Sequence, residues 1–181
     1  DSIGSQYSSS SLVGNGGNDT FFANTKVPGV GIGSTLKGGS GSDSFEFNTF
    51  GLTSVALASN ADNDTIRLTG PTDKTTIWAG QGEDSLQIRN TLTDSNIYAN
   101  SGNDTINVTA AIQSSFLNSG QGDDRFSLTG TVTSSTFVGG SGADLLTFNN
   151  VVGDTSIAGA SSGGTTDTAN DTVVFTSSAN D

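Results

Sequence analysis

The stretches AGQGEDSLQI at residues 79–88, ANSGNDTINV at 99–108 and SGQGDDRFSL at 119–128 decide the fold, because they repeat one pattern every 20 residues. In each stretch a turn rich in small and polar residues ends on an aspartate, and large apolar residues follow two and four places later. A fixed period of this length is typical of solenoid proteins, in which each repeat forms one coil of a stack.

The aspartate that ends the turn recurs along the whole chain. Its copies are Asp19, Asp43, Asp64, Asp84, Asp104, Asp124, Asp144 and Asp171, separated by 24, 21, 20, 20, 20, 20 and 27 residues. The gaps of 24 and 27 residues predict loop insertions, near residues 24–32 and 160–166 respectively. We therefore expect a single domain over residues 1–181 with two protruding loops.

Two short strands are predicted in each coil. After the aspartate, alternate residues such as Ile106 and Val108 face inwards. A second strand carries an inward residue such as Ile97, with a Ser or Thr two places before it, and Leu92 closes the core at the second turn. Because one coil cannot bury its own apolar row, we expect an all-β parallel β-solenoid of about eight coils of about 20 residues.

Composition restricts the partners of the chain. The formal net charge of -12 disfavours nucleic acid and anionic membranes, and the absence of His and Cys leaves only oxygen ligands for a metal. Oxygen ligands favour hard cations such as calcium and make zinc and copper poor candidates. No apolar run approaches the roughly 18 residues of a membrane span. We expect any export signal to have been removed or to lie on a part of the protein outside this sequence.

The aspartate row requires a counter-charge if the coils stack in register. Neighbouring carboxylates would lie about 5 Å apart and repel by roughly 3 kcal/mol at an effective dielectric of about 20. A single such turn would be explained by an aspartate that caps its own backbone, but a stack of them favours cations between the coils. Calcium takes six to eight oxygen ligands, which carboxylates and the carbonyls of Gly-rich turns supply.

The repeat resembles the RTX or hemolysin-type calcium-binding family, whose motif is GGxGxDxUx with U a large apolar residue. Residues 38–45 and 139–146 match this motif fully. The resemblance implies a right-handed β-roll in which the aspartate side chain and turn carbonyls hold calcium between coils. The implied metal ligands are Asp19, Asp43, Asp64, Asp84, Asp104, Asp124, Asp144 and Asp171.

The chain departs from the RTX pattern in two respects. RTX coils carry a calcium turn on both edges, whereas the second turn here, for example residues 109–113, lacks the motif. The chain is therefore more similar to the one-sided calcium solenoid of a giant bacterial RTX adhesin. Residues 61–62 and 168–169 replace the glycine-bearing pair, which weakens the motif at Asp64 and Asp171.

The predicted function is structural and not enzymatic: a secreted spacer, adhesin segment or filament subunit on a bacterial cell surface or in an extracellular matrix. Its partners would be calcium and either further copies joined head to tail or adjoining repeats of a longer chain. A carbohydrate-binding or carbohydrate-active β-helix is the alternative, with Trp78 and Tyr98 as an outward aromatic platform. Ice binding is less favoured, because the places flanking the turn glycine lack a regular Thr and Asn ladder.

Overall fold

A computed structural model describes residues 2–4, 9–23, 32–48, 51–150, 152–160 and 169–176. Within these ranges every helix or strand assigned is a β-strand. The strands are β1 Ser2–Gly4, β2 Ser11–Gly16, β3 Thr20–Ala23, β4 Thr35–Ser40, β5 Ser44–Phe47, β6 Leu52–Thr53, β7 Ala56–Ala61, β8 Thr65–Leu68, β9 Thr72–Asp73, β10 Thr76–Gln81, β11 Ser85–Ile88, β12 Leu92–Thr93, β13 Asn96–Ser101, β14 Thr105–Val108, β15 Ile112–Gln113, β16 Phe116–Gln121, β17 Arg125–Leu128, β18 Val132–Thr133, β19 Thr136–Ser141, β20 Leu145–Phe148, β21 Val152–Gly153, β22 Ser156–Ala160 and β23 Thr172–Phe175.

The strands form three sheets in which neighbouring strands come from consecutive coils. The first sheet has the order β1-β3-β5-β8-β11-β14-β17-β20-β23, the second β2-β4-β7-β10-β13-β16-β19-β22, and the third β21-β18-β15-β12-β9-β6. Pairing is parallel and in register, so that Leu86 lies opposite Ile106 and Ile106 opposite Phe126. The predicted parallel β-solenoid is confirmed, with about seven turns of about 20 residues, close to the eight expected.

The third sheet was not predicted. Leu92, placed by the sequence at a simple turn, belongs to a two-residue strand that pairs with the coils on both sides. The Leu92 N–H donates to the Ala111 carbonyl at 2.9 Å. The chain then bends at Asp94, where φ is 47°. Because buried backbone groups must be paired, stacking converts this turn into a third ladder.

Several stacked rows of apolar side chains, contributed by all three sheets, form one core. The inward residues predicted from the repeat are buried at Phe45, Phe47, Ile66, Leu68, Ile77, Leu86, Ile88, Ile97, Ile106, Val108, Leu117, Phe126, Leu128, Phe137, Leu146 and Phe148. Phe21 and Phe45 stack with ring centroids 4.6 Å apart. At the last described strand the equivalent residues Val173 and Phe175 are 39% and 56% exposed. The core therefore lacks a cover on that side within the described residues.

The two predicted insertions fall largely outside the described residues, which omit 24–31 and 161–168. The single-domain assignment therefore stays a prediction. In the part of the chain that the structure does describe, no helix is long and apolar enough to cross a membrane.

Candidate metal centre

The turn between the second and first sheets is built from six residues that end on the aspartate, here called the aspartate turn. The residue at its fourth place has a positive φ, as the recurrent glycine predicted; Gly102 has φ 125° and Gly122 has φ 120°. The second place also has a positive φ, as at Asn100 (82°) and Gly120 (109°). The sequence carried this second signal, because residues 15, 39, 60, 80, 100, 120 and 140 are all Asn or Gly.

The structure brings all eight predicted aspartates into one row. One carboxylate oxygen, Oδ1, accepts a hydrogen bond from the backbone N–H of the aspartate in the preceding coil. These N–O distances are 2.7 to 3.1 Å, and the accepting residues are Asp43, Asp64, Asp84, Asp104, Asp124, Asp144 and Asp171. The first seven aspartates of the row are at most 3% exposed. Each of these seven carboxylates thus caps a backbone N–H of the neighbouring coil.

The second carboxylate oxygen, Oδ2, is buried without a hydrogen-bond partner at Asp43, Asp84 and Asp104. A buried polar atom left unsatisfied costs about 1–3 kcal/mol, and more when it is charged. A bound cation would give each of these oxygens the interaction partner that it lacks among the hydrogen-bond donors. The chemistry of the donors selects a hard, oxygen-binding ion such as calcium.

Backbone carbonyls must complete any such site. Among the described residues, no group of three or more acidic side chains is placed to hold a metal ion. The first place of the aspartate turn is skipped by the register of the second sheet: Val13 pairs with Lys37 and Asn15 with Gly39, with no pair at residues 14 and 38. The backbone carbonyl of the first-place residue in the next coil faces the interior of the turn. In the turn that begins at Ser59, for example, the Ala79 carbonyl of the next coil accepts a hydrogen bond from Ser59 Oγ at 2.5 Å.

The comparison with family models identifies this turn. The model of the RTX calcium-binding nonapeptide repeat matches the chain in four copies, over residues 9–25 and 93–110. Within these matched residues the chain carries RTX calcium-binding repeats. The matched stretches contain Asp19 and Asp104, and calcium is the cation that repeats of this kind bind. No curated protein and no solved structure was found to match the chain.

Burial raises the pKa of the carboxyl groups in the middle aspartate turns, at Asp43, Asp64, Asp84, Asp104 and Asp124. It raises the pKa of Asp84 from 3.8 to about 7; the carboxylates of Asp104 and Asp64 add to the rise, and the hydrogen bond from the Asp64 N–H opposes it. Burial likewise raises the pKa of Asp64, Asp104 and Asp124 to about 6. Loss of solvation is therefore a larger cause than the mutual repulsion on which the sequence argument relied. A bound cation would counter both.

A second row of caps lies at the fifth place of the aspartate turns, and the sequence analysis did not predict it. Asn63 Oδ1 accepts the Glu83 N–H, and Asn103 Oδ1 accepts the Asp123 N–H, both at 2.8 Å. Asp123 Oδ1 in turn accepts the Ala143 N–H at 2.8 Å. The signal was the frequency of Asn and Asp at this place, whose short side chains bond to nearby backbone groups.

The opposite edge of the solenoid uses hydroxyl groups where the edge with the aspartate turns uses carboxylates. Ser115 Oγ accepts the Ser95 N–H at 3.2 Å and donates to the Gln113 carbonyl at 2.8 Å. Ser95 Oγ likewise accepts the Thr75 N–H at 3.1 Å and donates to the Thr93 carbonyl at 2.7 Å. A hydroxyl can accept and donate at once, so the Ser95 and Ser115 side chains cap their neighbours without a metal. The asymmetry explains why the motif occupies one edge only.

In the last coil, the alignment read from the sequence is corrected by the register. The six residues ending at Asp171 placed Thr166 at the first place of the turn. In the structure Gly140 pairs with Ala160, which puts Gly159 opposite Gly139 at that place. The insertion therefore lies inside this turn, after its second residue, which is why counting back from the aspartate failed.

Proposed function

We propose that this chain is a secreted, calcium-dependent structural rod of a bacterial cell surface or extracellular matrix. The observation that carries the proposal is the row of buried Oδ2 atoms without hydrogen-bond partners on one edge of the solenoid. The proposed calcium ligands are Asp19, Asp43, Asp64, Asp84, Asp104, Asp124, Asp144 and Asp171, with turn carbonyls completing each site. Calcium supplies positive charge between coils that otherwise bury negative charge.

Folding of the proposed rod would depend on the calcium concentration outside the cell. A metal that binds only the folded state adds its binding free energy to folding, to an extent set by its concentration. The net charge of -12 opposes compaction when the ion is scarce. The chain would then remain unfolded inside the cell and fold after export, which suits an adhesin spacer or a filament subunit.

A scaffold role is favoured over an enzymatic one. Catalysis needs acid, base or nucleophilic groups that differ from their surroundings and converge on a reacting centre. Here the groups with raised pKa values form a regular row and share one structural task. The chain has no His and no Cys.

Exposed core positions at β23 support stacking of a further coil. Phe175 stacks on Phe148 with ring centroids 5.3 Å apart, yet is 56% exposed, and Val173 is 39% exposed. The equivalent residues of inner coils are buried. Adjoining repeats of a longer chain, or a second copy joined head to tail, would cover these exposed side chains.

Thermal unfolding in chelator and in calcium tests the proposed role. We expect the melting temperature to rise by many degrees at millimolar calcium, and far less at equal magnesium, because magnesium demands a tighter octahedral site. Circular dichroism follows the loss of β structure. Equal melting temperatures in chelator and calcium would contradict calcium-dependent folding.

Glycan binding is a second candidate, because an aromatic row lies on the outward face of the second sheet. Trp78 is 39% exposed and lies nearly parallel to Tyr98, with centroids 6.3 Å apart, and Phe116 follows at 5.6 Å. Affinity electrophoresis in polysaccharide gels tests this role. Retardation that Trp78→Ala abolishes would support it, and unretarded wild-type protein would contradict it.

A further inference from the structure

Six neighbouring strands of the second sheet carry no charged residue. They are β7, β10, β13, β16, β19 and β22, and none of them contains an Asp, Glu, Lys or Arg. The whole chain has 18 acidic and 6 basic residues, and strands of the first sheet contain Glu46, Arg67 and Arg125. A strongly acidic protein therefore keeps these six strands free of charge.

The outward residues of the six strands form two continuous columns along the stack, because the strands pair in parallel register. The columns are Ala56, Thr76, Asn96, Phe116, Thr136 and Ser156, and Ala58, Trp78, Tyr98, Asn118, Val138 and Ala158. Every residue in them is at least partly exposed, whereas Ile77, Ile97 and Leu117 between them are buried. We call these two columns the uncharged face.

An aromatic ridge crosses the uncharged face. Trp78 and Tyr98 are neighbours in one column, with ring centroids 6.3 Å apart and ring planes 11° from parallel. Phe116, in the other column, lies 5.6 Å from Tyr98. Because the three rings come from three successive coils, this apolar surface extends along the solenoid.

Side-chain amides border the aromatic ridge. Asn96 is exposed and pairs with Phe116, and Asn118 follows Tyr98 in its column. Asn118 Oδ1 is buried without a hydrogen-bond partner. A side-chain amide offers two donors and an acceptor and carries no charge. The face thus combines apolar rings with neutral hydrogen-bonding groups, and a sugar ring combines an apolar C–H face with hydroxyl groups at its rim.

Other occupants fit the uncharged face less well. A second copy, packed sheet on sheet, would bring another net charge of -12 alongside and would bury the amides of Asn96 and Asn118 away from water. An anionic partner would be repelled by the same net charge and would find no cation on the six strands. A neutral partner rich in hydroxyl groups meets neither obstacle.

We infer that the uncharged face binds a neutral, extended polysaccharide, of the cellulose type, that lies along the solenoid axis. Its sugar rings pack on Trp78, Tyr98 and Phe116, and its hydroxyl groups bond to the amides of Asn96 and Asn118. Six strands about 4.8 Å apart span about 24 Å, so the site takes several sugar units in a row. This inference rests on the glycan-binding candidate above and gives it a ligand class and a site.

Affinity electrophoresis in two gels tests the ligand class. Hydroxyethylcellulose and carboxymethylcellulose share one backbone, but the first is neutral and the second anionic. With the protein in millimolar calcium, we expect hydroxyethylcellulose to retard it and carboxymethylcellulose to retard it much less, each relative to a gel without polysaccharide.

Matched variants test the site. Trp78→Ala and Asn118→Ala should each reduce retardation by hydroxyethylcellulose. Phe22→Ala is the control for the ring, because Phe22 of the first sheet is 37% exposed and Trp78 is 39% exposed. Asn107→Ala is the control for the amide, because Asn107 Oδ1 is also buried without a partner, on the first sheet. Both controls should be retarded like the wild type, and circular dichroism checks that all four variants retain β structure.

A local readout comes from Trp78, which is the sole tryptophan of the chain. Cellohexaose should protect its fluorescence from quenching by acrylamide, and cellobiose at the same concentration should protect it much less. Equal protection by the two sugars would overturn a site that takes several sugar units in a row.

The outcomes separate the inference from the candidate on which it rests. Wild-type protein that neither gel retarded would contradict glycan binding itself. Stronger retardation by carboxymethylcellulose would keep glycan binding and overturn the neutral ligand. Retardation by hydroxyethylcellulose that Trp78→Ala and Asn118→Ala left unchanged would overturn the site. Wild-type dimers that Tyr98→Ala dissociates and Phe175→Glu does not would instead assign the face to a second copy.

Discussion

At the scale of single residues, each aspartate of the row divides its two oxygens between two tasks. Oδ1 of Asp104 accepts the Asp84 N–H of the preceding coil at 2.8 Å, whereas its Oδ2 has no hydrogen-bond partner. The first task needs only an acceptor, and the second needs a negative charge that can bind a cation. Substitutions that keep the hydrogen-bond acceptor but remove the negative charge therefore separate the two tasks.

Asp104→Asn and Asp104→Ala should have opposite effects in chelator at pH 8. Asparagine keeps an acceptor for the Asp84 N–H and removes a buried charge, so the free energy of unfolding should rise. Alanine leaves that N–H unsatisfied, so stability should fall by about 1–3 kcal/mol. In calcium both variants should be less stable than the parent. Urea unfolding measures this, and equal stability of the two variants in chelator would contradict the division of tasks.

The metal-free protein should lose stability as the pH rises. The pKa of Asp84 is about 7 in the fold against 3.8 when solvated, and Asp64, Asp104 and Asp124 reach about 6. A carboxyl whose pKa is raised by folding stabilises the fold fully below its unfolded pKa, and that contribution is lost as the pH passes the folded pKa. Melting temperatures in chelator should therefore be higher at pH 5 than at pH 8.

Calcium should reverse this order, because protons compete with the ion for the same carboxylates. Asp84→Asn is the matched variant and should show a weaker pH dependence in chelator. A melting temperature in chelator that rose between pH 5 and pH 8 would be inconsistent with buried, metal-free carboxylates.

At the scale of the elements, the two edges of the coil cap backbone N–H groups with different side chains: carboxylates on one edge and hydroxyls on the other. Both must cap backbone N–H groups of the neighbouring coil, and the hydroxyl edge does so without charge. Ser115→Ala should leave the Ser95 N–H unsatisfied and lower stability by about 1–3 kcal/mol, equally in chelator and in calcium. Ser85→Ala, at an exposed position of β11, is the control and should change little. A calcium-dependent loss in Ser115→Ala would show that the two edges are coupled.

The period of the sequence predicted the coil, the inward residues and the aspartate row, because each follows from spacing alone. The third sheet could not be predicted from the sequence, because Leu92 and Thr93 look like ordinary turn residues. They form a strand only through stacking, when the Leu92 N–H donates to the Ala111 carbonyl of the next coil.

At the scale of the whole molecule, the exposed core positions of β23 predict association. Phe175→Glu would place a charge on an exposed core position and should prevent a further coil from stacking there. We expect the parent chain to sediment as assemblies in calcium and Phe175→Glu as a monomer. Val13→Glu is the control, since Val13 is 45% exposed on an outward position beside Lys37. A monomeric parent chain in calcium would contradict stacking between copies.

The parallel register of the three sheets also sets how the rod responds to tension. Strands lie across the stack, so a pull along its axis peels one coil at a time and does not shear a whole sheet. Each released coil of about 20 residues extends to roughly 65 Å while giving up about 4.8 Å of stack, a gain of about 60 Å. A tether built this way would lengthen in equal steps under load, and each ion held between coils would raise the force needed for the next step.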